Sequence, residues 1–313
     1  MRKQNPREVY GRTLVELGRE DARIVVLEAD LSKSTMSCYF EQAYPDRYFE
    51  MGIAEANMTS FAAGLSLVGK IPFTNSFATF AAGRAYDQIR QGICIPGLNV
   101  KIVGSSSGLS DFGDGSTHQA VEDAAIMRSI PNMTVLVPCD GIETRKMTRA
   151  MARYHGPVYM RLNRDDLPDL FPENEEFVIG KPYVIREGDE AVVFANGIMV
   201  SKAVEAAEAL SARGISTRVV DVGTLKPADE GALRELAEGM RGMVTAEEHT
   251  LIGGLGSVVA DVFKGSGIPL RCIGINDRFG QSARSYAELL AEYGLTAGHI
   301  ESDVLEVIGR RGS

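Results

Sequence analysis

Glu55 stands near the head of MGIAEANMTSFAAGLSLVG, where small residues repeat along a helical pattern beside an apolar contact surface. A carboxyl there has two readings. It complements the positive end of the helix dipole, as first-turn acids do, or its desolvation equips it to exchange a proton with a ligand nitrogen. Further along, PFTNSFATFAAGRAYDQIRQG carries Phe73, Phe77 and Phe80 ahead of a helix. Rings so spaced fill cores, or one of them stacks on a flat heteroaromatic ligand through its π-face.

GSSSGLSDFGDGSTHQAVED is a run of Gly, Ser and Asp between an expected strand and an expected helix, which places it at a strand's carboxyl end, where open α/β sheets bind ligands. Asp114, Thr117 and His118 cluster in it, and a histidine at a loop-to-helix junction either transfers protons or caps the helix. GPVYMRLNRDDLP ends a strand with Arg161 and Arg164. Arg164 is able to fork onto a phosphate or carboxylate, or to form a surface pair. In EEHTLIGGLGSVVAD, Gly253, Gly254 and Gly256 open a helix whose amides could receive an anion.

The elements that must hold these groups follow from periodicity. Short apolar runs alternate with helical patterns throughout, so the fold class is α/β, with two doubly wound, mostly parallel sheets. A chain of 313 residues is long enough for two cores. Strands are expected at Ile24 to Ala29, Val100 to Val103, Thr134 to Val137 and Val158 to Arg161. Helices are expected near Arg7 to Gly18, Ala54 to Val68, Ala82 to Ile93, Gln119 to Arg128 and Gly141 to Tyr154. After Arg164 a polar stretch with three prolines, DDLPDLFPENEEFVIGKP, reads as a linker and sets domains at 1–180 and 181–313. The second series has strands at Ala191 to Ala195, Thr217 to Val222, Met243 to Ala246 and Leu270 to Ile275. Its helices are Val200 to Ala212, Asp229 to Glu238, Leu255 to Phe263, Ser285 to Glu292 and one from His299.

Composition narrows the partners. Hydrophobic residues at 44% and charged residues at 24% describe a packed globular chain, and a net charge of -9 argues against nucleic acid. Four cysteines without a CxxC pair suggest neither a zinc knuckle nor a disulfide framework. The N-terminal MRKQNPREVYGRTLVELG lacks the apolar stretch of a secretory signal, and no window reaches about 18 uninterrupted apolar residues, so a cytoplasmic protein without a membrane span is expected.

Taken in order, GIAEANM, PF..SF..F...RAYDQIR, GDGSTHQ..ED, IPNM.V..P.D..E, GP.Y.R..R and EEHT..GGLGS resemble the transketolase family over almost the whole chain. The part resembled is the pyrimidine-binding domain and the C-terminal domain. The resemblance implies thiamine diphosphate as cofactor and a separate N-terminal subunit bearing the diphosphate site and the ligands of Mg2+ or Ca2+. No metal site is expected on this chain: Gly113-Asp114-Gly115 has the letters of the family's metal motif, but Asn132 follows too early and Asn163 too late to complete it. The assembly implied is α2β2, inactive without the partner.

Residue by residue, Glu55 matches the glutamate that hydrogen-bonds the aminopyrimidine and activates the cofactor, Phe80 the ring stacked on the pyrimidine, Phe77 its neighbour, and Asp30 an acid lining the cofactor site. Arg7, Ser34 and Arg164 match the holders of a sugar-phosphate tail, and Asp114 and His118 the contacts to sugar hydroxyls and the reacting oxygen. Ser106 falls where the family usually has a histidine against the donor's terminal hydroxyl, so an unusual ketose phosphate is as consistent as xylulose 5-phosphate. Three alternatives remain open at this point: the β subunit of a 2-oxo-acid dehydrogenase E1 component, a 1-deoxyxylulose-5-phosphate synthase-like half, and a non-catalytic module binding a nucleotide at the Gly253 to Gly256 turn.

Overall fold

Continuous apolar runs such as IVVLE cannot leave one face in water, and each becomes an interior strand covered on both sides. The computed structural model describes residues 2–309. In its first half, β1 (Ile24–Glu28), β2 (Tyr48–Glu50), β3 (Ile71–Phe77), β4 (Lys101–Ser105), β5 (Thr134–Leu136) and β6 (Val158–Arg161) run parallel in the order β5-β6-β4-β3-β1-β2. The second half contributes β7 (Tyr183–Arg186), β8 (Ala191–Ala195), β9 (Thr217–Asp221), β10 (Thr224–Lys226), β11 (Gly242–Thr250) and β12 (Leu270–Ile275). Five of these form the second sheet, ordered β12-β11-β8-β9-β7, parallel except for β7. Both sheets are flanked by helices, as the α/β reading requires.

The sixth of them, β10, joins the other sheet. It pairs antiparallel with β5 and closes the first sheet at seven strands. Lys226 at its end donates to the carbonyls of Arg128 and Ile130 at 2.9 and 2.6 Å.

Three elements depart from expectation. Strand β3 is not legible as a strand because Thr74, Asn75 and Ser76 interrupt its apolar pattern, yet all three are buried. Asn75 bridges the core, accepting from the Tyr10 hydroxyl at 2.6 Å and donating to the Leu27 carbonyl at 3.0 Å. The single helix expected at Ala82 to Ile93 is instead a short helix Ala78–Gly83, one turn at Tyr86–Gln88 and a wide π-type turn Ile89–Cys94. The helix expected from Gln119 begins only at Asp123, because Gln119 holds the preceding loop, donating to the carbonyls of Asp111 and Gln281, each at 3.1 Å.

The seam between the halves contains an acidic cluster. Helix α1 (Pro6–Glu20) is capped by Asn5, and α2 (Gly141–Arg153) by Asp140, whose Oδ1 accepts from Glu143 N at 2.8 Å. Glu143 on α2 meets Asp221 at the end of β9, and with Cys139 their polar atoms lie within 4.8 Å of one another, fully buried. Burial, reinforced by the neighbouring acids, pushes both carboxyls up, Asp221 to about 7. Asp140, Cys139 and Tyr183 face the same pair.

A carboxyl whose folded pKa is raised contributes stability that is complete below its unfolded pKa of about 4 and is lost as pH rises through the folded value. Relative to Asp221→Asn, which stays neutral, the wild-type melting temperature should therefore fall by several degrees between pH values of roughly 5 and 8. Parallel melting curves across that range would show that Asp221 is not held protonated at the seam.

Candidate active site

The carboxyl ends of β1, β2, β3, β4 and β6 lie on one edge of the first sheet, and the segments leaving them carry nearly every residue singled out in the first half of the sequence, Arg7 on α1 apart. After β1 the chain turns sharply. Asp30 and Met36 have positive φ, 62° and 64°, and buried Glu28 holds the turn, accepting from Ala29 N at 3.0 Å and from the hydroxyls of Thr35 and Ser37, both at 2.6 Å. Burial raises this carboxyl to about 7. Glu50 supports the other side, accepting from Asp30 N and Gly52 N, both at 2.9 Å.

A pocket of about 390 Å3 opens between Asp30, Ile53, Glu55, Phe80, Arg84, Thr117 and His118. Glu55 begins helix α3 (Glu55–Leu67) on no side-chain cap and is only 3% exposed. Among the described residues Arg84 is its one hydrogen-bond donor, from Nη1 to Oε1 at 3.0 Å, which leaves Oε2 without a protein partner. The same guanidinium lies 4.3 Å from the centroid of Phe80. Phe77 stacks behind Phe80 at 6.1 Å, and His118 meets both rings edge-on, at 5.3 Å from Phe80 and 6.0 Å from Phe77. His118 Nδ1 is 2.9 Å from the Thr117 hydroxyl. Asp30, Glu55, Phe80 and His118 thus line one cavity, with Phe77 as its backing.

A second group forms beside it on the same loops. Arg7 Nη1 donates to the Ser34 carbonyl at 2.9 Å and Nη2 to the Arg164 carbonyl at 3.0 Å. Arg164 pairs with buried Asp111 at 2.6 Å. Burial and the charge of Arg164 lower the pKa of Arg7, a repulsion that an anion between the guanidinium groups would relieve. Asp114 is exposed on the loop near Asp111.

Ser106 does not join either group. It is fully buried with a φ of 53°, and its hydroxyl has no hydrogen-bond partner among the described residues. Arg161 is buried as well, tied to Asp123 at 3.0 Å rather than offered to a ligand. Arg84 and Asp111 escaped the sequence reading. Arg84 lies one helical turn after Phe80, the one signal available that it could reach back over that ring.

The glycine turn is already occupied. Helix α4 (Leu255–Val262) follows it, and Glu247 accepts from Leu255 N at 2.7 Å and Gly256 N at 2.8 Å. A Cβ on Gly254 would lie 2.0 Å from Glu247 Oε2, so the glycine makes room for this carboxylate. The nucleotide-binding alternative loses its one support, because those amides take an internal anion.

Two family models together span most of the chain. The transketolase pyrimidine-binding domain matches residues 2–169 and the transketolase C-terminal domain residues 180–300. The chain belongs to the transketolase family. A putative transketolase C-terminal section of Methanocaldococcus jannaschii is 43% identical, the alignment covering 96% of this chain and 95% of the relative. A 6-deoxy-6-sulfo-D-fructose transketolase subunit of Clostridium sp. (strain MSTE9) is 42% identical over 97% and 95%. A solved structure described as a split gene transketolase, inactive beta4 tetramer, superposes with a TM-score of 0.88 at 48% identity, covering 98% of this chain and 99% of that one. Membership of this family implies thiamine diphosphate dependence.

Breaking the Arg164–Asp111 pair should be costly because Asp111 is 1% exposed and would remain as an uncompensated charge. Arg164→Ala is expected to lower stability by about 1–3 kcal/mol near neutral pH, and adding Asp111→Asn should restore most of it. Thermal unfolding of the two variants checks this; equal melting temperatures would show that the pair is not coupled.

Proposed function

We propose that this chain is the pyrimidine-binding and C-terminal subunit of a two-component transketolase, moving a two-carbon ketol unit from a ketose phosphate to an aldose phosphate. The observation that carries this reading is the pocket in which buried Glu55 and the Phe80 ring meet, on the same loops as the Arg7–Arg164 pair. The pocket suits a flat aminopyrimidine: Phe80 offers a π-face, and Glu55 an oxygen with no competing protein donor. When bound, thiamine diphosphate supplies the carbanion chemistry, and the chain supplies orientation and proton management.

Glu55 holds a proton at the pyrimidine nitrogen, and Arg84 in its present position screens that carboxylate until the ring is bound. Phe80 and Phe77 fix the ring plane, and Asp30 and Ile53 close the pocket sides. His118 and Asp114 contact the sugar oxygens, His118 serving as the proton-transfer group. Arg7, Ser34 and Arg164 hold the terminal phosphate. Because they fit a tetrahedral anion rather than one sugar, a sulfonate such as the relative's 6-deoxy-6-sulfo-D-fructose suits the same place. Ser106, buried and standing where the family usually has a histidine, leaves the donor's terminal hydroxyl without that contact.

The N-terminal partner would supply the diphosphate contacts and the ligands for Mg2+ or Ca2+, in an α2β2 assembly in the cytoplasm. No helix of the described residues is long and apolar enough to cross a membrane. The outer face of α3 supports assembly: Phe61 is 42% exposed and Leu67 and Val68 73% each, in line with Ser60 and Gly64.

Co-purification with the diphosphate-binding subunit, followed by transfer assays on a panel of phosphorylated and sulfonated ketoses, tests the reading. Transfer by the pair and not by either chain is expected, and turnover by this chain alone would sink it. Glu55→Gln should lower kcat by about 100-fold or more with an unchanged melting curve. Separately, Phe61→Asp should shift the chain to a smaller species in sedimentation velocity while its circular dichroism stays the same.

A further inference from the structure

The candidate site is built from the first domain, yet one carboxylate of the second domain reaches beneath it. Glu248 on β11 is 5% exposed. Its Oε1 accepts from Leu109 N at 2.7 Å and its Oε2 from Asn163 Nδ2 at 3.2 Å. Leu109 sits two residues before Asp111, and Asn163 immediately precedes Arg164, so the two oxygens tie a backbone amide on one side to a side-chain amide on the other, next to the residues of the ion pair. The chain closes tightly on this carboxyl. Gly108 has a φ of 64°, and a Cβ there would lie 2.4 Å from Glu248 Cδ.

The surrounding bonds lock the same two segments together. Arg164 N donates to Ser110 Oγ at 3.2 Å, and that hydroxyl donates to the Ser107 carbonyl at 2.6 Å. Asn163 also donates to the Tyr286 hydroxyl at 2.7 Å, while its Oδ1 accepts from Asp165 N at 2.8 Å. Arg161 Nη1 donates to the Glu248 carbonyl at 3.2 Å, which fixes the strand itself. Burial raises the Glu248 carboxyl to about 7, opposed by Arg161 and the Leu109 amide.

We propose that Glu248 is a positioning residue for anion capture: by holding the Leu109 turn and Asn163 together it sets Arg164 against Asp111 at 2.6 Å and presents the guanidinium to the substrate's tetrahedral anion. The proposal rests on the assignment of Arg7 and Arg164 to that anion. It gives the second domain a role in substrate affinity although it adds no side chain to the anion site.

The test is calorimetric titration of inorganic phosphate into the purified full chain, with melting curves in parallel. Wild type should bind saturably and Arg164→Ala should not. Glu248→Ala should raise Kd about tenfold, and Glu248→Gln, which keeps an acceptor for Leu109 but sets an amide donor against Asn163 Nδ2, should fall between wild type and Glu248→Ala. A merely structural role would lower the melting temperature of Glu248→Ala without moving Kd. Loss of binding in Arg164→Ala with wild-type affinity in Glu248→Ala overturns the proposal and leaves the arginine assignment standing. Absent binding by wild type, or binding unaffected by Arg164→Ala, overturns that assignment and the proposal with it. If Glu248→Ala does not fold, Asn163→Ala, which leaves Glu248 on Leu109 and removes its contact beside Arg164 together with the Tyr286 and Asp165 bonds, carries the same expectation, and an unchanged Kd there is equally fatal.

Discussion

Loops that leave the carboxyl ends of a parallel sheet have no neighbouring strand to take their amides, and when they are buried every N–H still needs an acceptor. Here carboxylates provide it. Glu28 takes Ala29, Glu50 takes Asp30 and Gly52, Glu248 takes Leu109, Asp140 takes Leu170 and Phe171 at 2.6 and 2.7 Å, and Glu247 takes Leu255 and Gly256. Each removes the conformational freedom of a loop that would otherwise wander, and Glu28, Glu50 and Glu248 do so within two residues of Asp30, Ile53 or Asp111. A loop held in this way needs no regular structure to be rigid.

The same device joins the domains. The acidic pair of Glu143 and Asp221 and the reach of Glu248 under the Leu109 turn both cross the seam, and β10 carries the second half of the chain into the first sheet. Thr250 N adds a bond to the Val121 carbonyl at 2.7 Å. With so many polar groups desolvated at the junction, a small rotation between domains would break several of them together, which holds the first domain's site loops in a single arrangement.

Arg84 shows how much of a site depends on distance rather than on motif. Its guanidinium bonds Glu55, 29 positions away, and covers Phe80, four positions away. A planar cation that hydrogen-bonds the carboxylate and lies on the ring makes the same two kinds of contact that a protonated heteroaromatic ligand would make.

Much was legible in the residues themselves. The alternation of apolar runs with helical periods determined the α/β class, and β1, β4, β5, β6, β8, β9 and β12 fall close to where those runs predict, because interior parallel strands must be apolar on both faces. The ordered motifs named the family and singled out Glu55, Phe80, His118 and Arg164. Tertiary structure decided what periodicity could not carry. Strand β3 was hidden by Asn75, whose polarity is satisfied across the core by Tyr10 and Leu27, and the length of β11 by Glu247 and Glu248, charged residues that end the apolar run yet are buried acceptors. The glycine turn that looked open to a phosphate is filled by Glu247, and Ser106 is fully buried with a hydroxyl that has no partner among the described residues. Local pattern reports whether a side chain prefers water or oil; only the packed chain determines which distant group arrives to satisfy the ones that end up on the wrong side.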